Sequence, residues 1–396
     1  MTKKRGIVII HLSEKLPDRR LTLGKKAQYR QLTRKGDNSM AFKKVMKNWC
    51  IFGLALTAAL IIGMQPAIAA DKVVKMTLAH ADVADPTMYV HAGAVAFKAY
   101  VERESNGKIQ VSISPAAALG NTASLQEMTM TGEIEATTSH TEGTIAIVYP
   151  NIQCLSIPYL FQNVDQALEV FRGDFGKRLF EDMRKETGIR VIGIWDNGGF
   201  RNFTNNKREI HNPDDMKGLS IRTMDNPAHM EIVRSLGAKP TPISWAETYT
   251  ALQTGVVDGE ENSIPTFLLG SLQEVQKYMT MDGHVYSQLH LFVNDKWFNG
   301  LPKEYQEIIL RGGEQAGYAG ERATRVYRDI GRGICIKAGV KFYDPTPDEL
   351  NQFKALAQPP VLKFIREKGV KDPKWVDEII EEADKALYTL GYKKKG

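Results

Sequence analysis

From about residue 71 onward, apolar and polar positions switch repeatedly between short extended runs and helical spacing. Val73–Leu78 reads as a strand, and Tyr89–Glu104 as a helix that Asn106-Gly107 stops. Ile109–Ser114 is the next strand. The segment Leu119-Gly120-Asn121-Thr122 then opens a helix over Ser124–Thr131, with Thr122 as its cap and Gly132 as its stop. Glu135–Ser139 is strand-like, Phe175–Thr187 helical, and Ile189–Ile194 extended again. A second series follows Arg201: Leu219–Thr223 extended, Ala228–Ser235 helical, Pro240–Pro242 extended. Short strands separated by helices predict an α/β fold with largely parallel sheet covered on both faces.

The helical spacing of Ile308, Ile309, Ala316, Ala319, Ala323 and Val326 predicts one long helix from Lys303 to about Ile336, long enough to cross two lobes. Residues 346–390 predict two or three further amphipathic helices. Pro359-Pro360 is expected to break between them, and Ile379, Ala383, Ala386 and Leu387 form an apolar stripe.

The run Ile51–Met64 has a different pattern, with no charge and no polar face. Lys43, Lys44 and Lys47 precede it and Ala67-Ile68-Ala69-Ala70 follow, which are the parts of a secretory signal peptide. As a helix it rises about 21 Å, too little for a hydrocarbon core of about 30 Å. Residues 40–69 are therefore expected to be removed near Ala69 or Ala70, leaving an exported protein. Residues 1–39 are polar and basic without sustained periodicity and read as a mis-started extension, with translation opening at Met40, or at Met46 as the lesser alternative. A cytoplasmic extension is the alternative. Cys50 precedes the apolar core, so a lipid anchor is not expected.

Removing that segment changes the charge. The whole chain holds 52 Lys and Arg against 46 Asp and Glu, a net +6; residues 1–70 hold 14 basic and 3 acidic of these, leaving 38 against 43, or −5. The remainder offers no electrostatic reason to bind nucleic acid. It retains Cys154 and Cys335, apolar-flanked and far apart, which suit either a disulfide or two buried thiols.

Two arginines carry the first chemical signal. Arg201 ends Asn197-Gly198-Gly199-Phe200-Arg201, and Arg222 ends Lys217-Gly218-Leu219-Ser220-Ile221-Arg222. Arg222 follows an alternating extended segment, so its guanidinium can project from a strand end into a crevice, where open α/β sheets bind ligands. Guanidinium is always charged and grips a carboxylate through two parallel hydrogen bonds. A surface residue or a structural salt bridge would have the same local sequence. His80 with His91, and His284 with His290, lack the spacing and carboxylate company of a metal site. Ser139 and Ser244 lack a His/Asp arrangement for nucleophilic attack. No metal or cofactor is expected.

At "LSIPYLF" (Leu155–Phe161), "NPDDMKGLSIRT" (Asn212–Thr223) and "LGAKPTPISWAETYTALQTGVVDGEEN" (Leu236–Asn262), with Leu119-Gly120 before them, the chain resembles the extracytoplasmic solute-binding protein of a tripartite ATP-independent periplasmic (TRAP) transporter, of the DctP type. The resemblance spans about Lys75 to Ala319. It implies a two-lobed periplasmic-binding-protein clamshell, with a sheet in each lobe and a long helix spanning the lobes. Lobe I would comprise residues 70–199 and about 288–325, and lobe II residues 200–287 and about 326–396. It implies a carrier, not an enzyme, that binds an organic acid in the periplasm for TRAP membrane subunits, with a monomer the expected state. Arg222 matches the family arginine that pairs with the ligand carboxylate, Arg201 a second arginine, Asn262 a polar ligand contact and Trp245 the aromatic pocket wall. Glu127 matches a first-lobe polar contact more loosely. Asp258, Gly259 and Glu260 would shape the turn that presents Asn262. Ser263 stands where many relatives have proline, and Ala118 where a longer polar residue is common, which puts the ligand's shape in doubt. The rival readings are a binding protein of an ATP-driven transporter and a secreted lyase or hydrolase acting on an organic acid.

Overall fold

The structure is a computed structural model and describes residues 73–140 and 143–394. The expected signal peptide and the extension before it lie outside the described residues.

Nine strands form one hydrogen-bonded sheet. They are β1 (Val74–Ala79), β2 (Ile109–Ser114), β3 (Ala136–His140), β4 (Ile189–Asn205), β5 (Ser220–Thr223), β6 (Lys239–Pro242), β7 (Gly259–Asn262), β8 (Tyr278–Asn294) and β9 (Lys341–Tyr343). Their order is β2-β1-β3-β8-β4-β7-β5-β6, with β9 on β8. The two halves are a parallel β2-β1-β3 set and a parallel β7-β5-β6 set. Each half is covered by its own helices, and the two make the expected clamshell.

The sheets of the lobes are joined through β4 and β8, which are 17 residues each and pair antiparallel from Ile189↔Asn294 to Asn205↔Tyr278. Sequence periodicity marks only the first third of β4. Beyond Ile194 it carries buried Trp195, Asp196, Asn197 and Arg201 together, because helices and loops cover both faces and polar residues there bond inside the protein. The pairing slips between Asp196 and Gly199. Gly198 (φ +96°) makes this bulge; a Cβ there would come within 2.0 Å of Ser263 Oγ.

The long helix is continuous over Lys303–Lys337 and lies along this junction. Gly313 lets it touch the sheet: a Cβ would be 1.9 Å from the Ile192 carbonyl oxygen. Trp195, fully buried on β4, packs under Gly320 of the same helix, so it is a core residue.

One core gathers Met76, Leu78, Val90, Phe97, Val111, Leu289 and Leu291 around the β1 half. A second joins Phe171, Leu179, Phe203, Ile221 and Ile232 to the C-terminal helices through Phe353, Val361 and Ile379. Cys154 sits in this second core and Cys335 in a third, and both are free and buried. The thiols thus realise the unlinked alternative.

The expected break at Pro359-Pro360 does not occur. A single helix covers Pro347–Phe364. Phe353, Ala357 and Val361 recur every fourth residue and are fully buried, which anchors one face. Both prolines, with Ala355 and Leu356 four residues before them, face solvent, where the carbonyls left without a donor meet water. The helix Thr122–Thr131 ends at Gly132 as expected, but its cap is Asn121, whose side chain accepts from Ser124 N at 3.0 Å. No described helix is long and apolar enough to cross a membrane.

Candidate functional site

A cavity of about 280 Å³ opens at the carboxyl ends of the parallel strands of both halves. His140 is the last residue of β3, Arg222 the third of four in β5, and Pro242 and Asn262 close β6 and β7. The chain reverses there into helices, so short strand ends put side chains from distant segments around one space.

Arg222 is 2% exposed and lines this cavity. Its Nε donates to the Ile243 carbonyl at 2.9 Å, and its guanidinium lies 5.8 Å from the centre of the Trp245 ring. Among the described residues no carboxylate lies within ion-pair distance of it. Burial lowers its pKa to about 10, with Glu260 and Glu261 opposing the fall, so it remains a cation at neutral pH.

Arg201 also lines the cavity, but its charge is already matched. Its Nε lies 2.5 Å from Glu261 Oε2, and its Nη2 donates to Oε1 at 3.0 Å and to the Glu261 carbonyl at 2.6 Å. Arg201 and Glu261 are each 1% exposed. Burial alone would raise Glu261, but the Arg201 charge holds it well below the usual carboxylate range. His284 Nε2 sits 3.2 Å from the same carboxylate, and His284 Nδ1 2.9 Å from Asp282 Oδ2. Against burial, which lowers it, Asp282 and then Glu261 lift His284 to about 9. Beneath the cavity therefore runs a buried ionic network, which holds Arg201 in place.

Asn262 is buried, lines the cavity and donates from Nδ2 to Glu260 Oε2 at 2.5 Å. Burial raises Glu260 to about 7. Asp258 receives Ser220 N at 2.9 Å, and a Cβ at Gly259 would meet Thr204 O at 1.9 Å. The Asp258–Glu260 segment thus fixes the β7 edge that carries Asn262. Trp245 opens its helix beside Arg222, and Ser263, in the place of a proline, caps the next helix by accepting from Thr266 N.

Glu127 is not part of this constellation. It is exposed on the helix Thr122–Thr131 and does not line the cavity. One residue turns about 100° around a helix, and here that rotation puts Gln126 inside instead. Gln126 Nε2 donates to Ser139 Oγ at 2.6 Å, and Gln126 Oε1 accepts from Thr144 Oγ1 at 2.6 Å. The helical phase of buried Leu125 and Thr129 is the sequence signal that separates the two.

Sequence reasoning missed His140 and Thr144, which line the cavity from the β1 half. Burial, then the charges of Arg201 and Arg222, depress His140 to about 3, so it is neutral. Its Nδ1 is buried without a hydrogen-bond partner. His80 and His91 face each other across 3.0 Å, and among the described residues no group of three or more His, Cys, Asp or Glu is placed to hold a metal ion.

A cleft between two α/β lobes, lined by one unmatched buried guanidinium, is the arrangement of a binding protein for a small anion. The known proteins agree with it. Residues 80–368 match the family described as bacterial extracellular solute-binding protein, family 7 (DctP). The chain is 30% identical, over 67% of its length and 80% of the relative's, to the sialic acid-binding periplasmic protein of Vibrio cholerae. The sugar acid-binding protein of Advenella mimigardefordensis, solved with galactonate, superposes with a TM-score of 0.75 at 27% identity, covering 80% of this chain and 99% of that one. A TRAP solute-binding protein of Desulfovibrio salexigens, solved with orotic acid, gives 0.74 at 28% identity, over 79% and 99%.

The chain therefore belongs to the DctP family of TRAP periplasmic solute-binding proteins. It works in the periplasm, where it binds a small organic acid and delivers it to a TRAP membrane component; it is a carrier and not an enzyme.

Proposed function

We propose that the ligand is held by its carboxylate on Arg222, with Asn262 satisfying further ligand polar groups, Arg201 shaping the cavity floor and Trp245 packing on the carbon skeleton. The observation that carries this reading is a buried, charged guanidinium facing a cavity, with no described carboxylate within ion-pair distance of it. Such a cation gains two charge-assisted hydrogen bonds when an acid enters, each worth about 1.5–3 kcal/mol. Trp245 offers a flat apolar surface beside it.

In this reading residues 70–199 and about 288–325 move as lobe I and residues 200–287 and about 326–396 as lobe II, with β4 and β8 bending at the Asp196–Gly199 bulge. The ligand bridges the lobes and shifts the population toward the closed form, which the membrane component recognises. The mature protein begins at Ala70 or Asp71 and is a monomer; N-terminal sequencing of the exported protein and light scattering report on those two points.

The test of the anchor is calorimetry of an acid against its primary amide. An acid that binds while its amide does not is the expected result. Equal affinities would remove the carboxylate from the recognition.

A further inference from the structure

Behind the wall that carries Asn262 runs a second polar chain, and its hydrogens do not balance while Glu260 is ionised. Glu260, two residues before Asn262 on β7, is fully buried, and so are Thr204 of β4 and Gln276. Glu260 Oε2 accepts from Asn262 Nδ2 at 2.5 Å. Its Oε1 lies 3.1 Å from Thr204 Oγ1, which in turn lies 3.0 Å from Gln276 Oε1. Gln276 Nε2 donates to the Val275 carbonyl at 3.1 Å, so the amide cannot be reversed and its oxygen faces Thr204.

A threonine hydroxyl has one hydrogen. With Glu260 ionised, that hydrogen meets two side-chain acceptors and one buried oxygen goes without a donor, which is costly. A proton on Glu260 Oε1 closes the chain. Glu260 then donates to Thr204, Thr204 donates to Gln276, and Oε2 still accepts from Asn262.

The surrounding charges point the same way. Glu261, next on β7, keeps its charge because Arg201 grips both its oxygens, and His284 and His229 lie 3.2 and 3.6 Å from it. Burial raises Glu260 to about 7; the Asn262 bond opposes the rise, the Glu261 charge adds to it, and Arg222 and then Arg201 oppose it. An acid docking on Arg222 spends the charge that favoured an ionised Glu260 and adds a negative one. Glu260 therefore holds its proton more tightly in the complex. Linkage makes the effect mutual, so the protonated form binds the acid more tightly.

We infer that the protein binds its organic acid together with a proton, which Glu260 carries in the Asn262–Glu260–Thr204–Gln276 chain beneath the cavity. The inference rests on Arg222 as the carboxylate anchor. The proton comes from solvent and no covalent bond of the acid changes. Glu260 is thus a positioning residue that acts on the ligand through Asn262 and Arg222.

The test is calorimetry of the mature protein with pyruvate, succinate, galactonate, glucuronate and orotate, from pH 6 to pH 8.5, in phosphate and in Tris. The two buffers differ in ionisation enthalpy, so proton uptake appears as a difference in heat. For a rise of Glu260 from about 7 to about 8 on binding, the best-bound acid takes up about half a proton at pH 7.5 and loses about sevenfold in affinity from pH 6 to pH 8.5. E260Q, whose amide gives Thr204 a hydrogen and Asn262 an oxygen, should take up none and show a flat affinity over that range. Infrared spectra of the ligand-free wild type should show a buried carboxylic acid at pH 6 that is lost by pH 8.5 and missing in E260Q. Absence of that wild-type band overturns the protonated chain, even where E260Q fails to fold. Uptake that persists in folded E260Q assigns the proton to another group, such as His140, and overturns the role of Glu260. Equal heats in both buffers, with binding intact, overturn the linkage while leaving Arg222 as anchor. No binding by any of the acids, with the fold intact, removes the anchor itself and this inference with it.

Discussion

Replacing Arg222 with alanine separates binding from folding. In the ligand-free protein this guanidinium is 2% exposed and its pKa is lowered to about 10 by burial. A displacement of that size from the ordinary guanidinium value corresponds to about 3 kcal/mol, acting against the folded state. Loss of side-chain packing against Trp245 offsets part of it. The alanine variant should thus melt at or above the wild-type temperature when no ligand is present. Binding should change in the opposite direction. Two charge-assisted hydrogen bonds at about 1.5–3 kcal/mol each amount to about 3–6 kcal/mol, or about 10²–10⁴-fold in Kd. R222K keeps the charge but not the paired donors and should fall between the two. Calorimetry gives the affinities and a thermal scan of each ligand-free protein gives the stabilities. A Kd within about threefold of wild type would refute the anchor. A melting temperature lowered by ten degrees or more would refute the account of a cation held in reserve.

Three further outcomes follow from the buried groups and the Pro347–Phe364 helix. Glu261→Ala removes the carboxylate that pairs with Arg201 in the buried network and should lower unfolding free energy by about 3–5 kcal/mol in urea titrations. His284 has a folded pKa of about 9 against 6.5 unfolded, so its contribution, up to about 3 kcal/mol, is complete below pH 6.5 and lost as pH rises through 9. Glu260, raised to about 7 from 4.5, acts in the same direction, with its contribution complete below pH 4.5 and lost as pH rises through 7. Melting temperature of the ligand-free protein should therefore fall between pH 6.5 and 9, with a shallower slope in H284Q. P359A/P360A fills in two backbone donors inside a continuous helix and should raise stability by about 1–3 kcal/mol; a loss of helicity by circular dichroism would contradict the uninterrupted Pro347–Phe364 helix.

The sequence by itself determined the local elements wherever a segment buries one clear face. Tyr89–Glu104 has the predicted bounds, and the long helix ends one residue beyond its expectation, because an apolar stripe at helical spacing leaves little choice. The ordered run of family motifs pointed at Arg222, Arg201, Trp245 and Asn262, whereas the local sequence of the two arginines fits a surface residue or a salt bridge equally well.

What depends on tertiary contacts was not legible. The inner two thirds of β4 carry polar residues that no local pattern marks as strand, since their partners come from β7, β8 and the long helix. Pro359-Pro360 reads as a break until Phe353 and Val361 are seen buried on the opposite face. Glu127 and Gln126 differ by one helical step, and only packing decides which faces inward. The two arginines look alike in sequence. Glu261, 60 residues beyond Arg201, matches one charge and leaves the other in reserve, and electrostatics of that kind act through space, not along the chain.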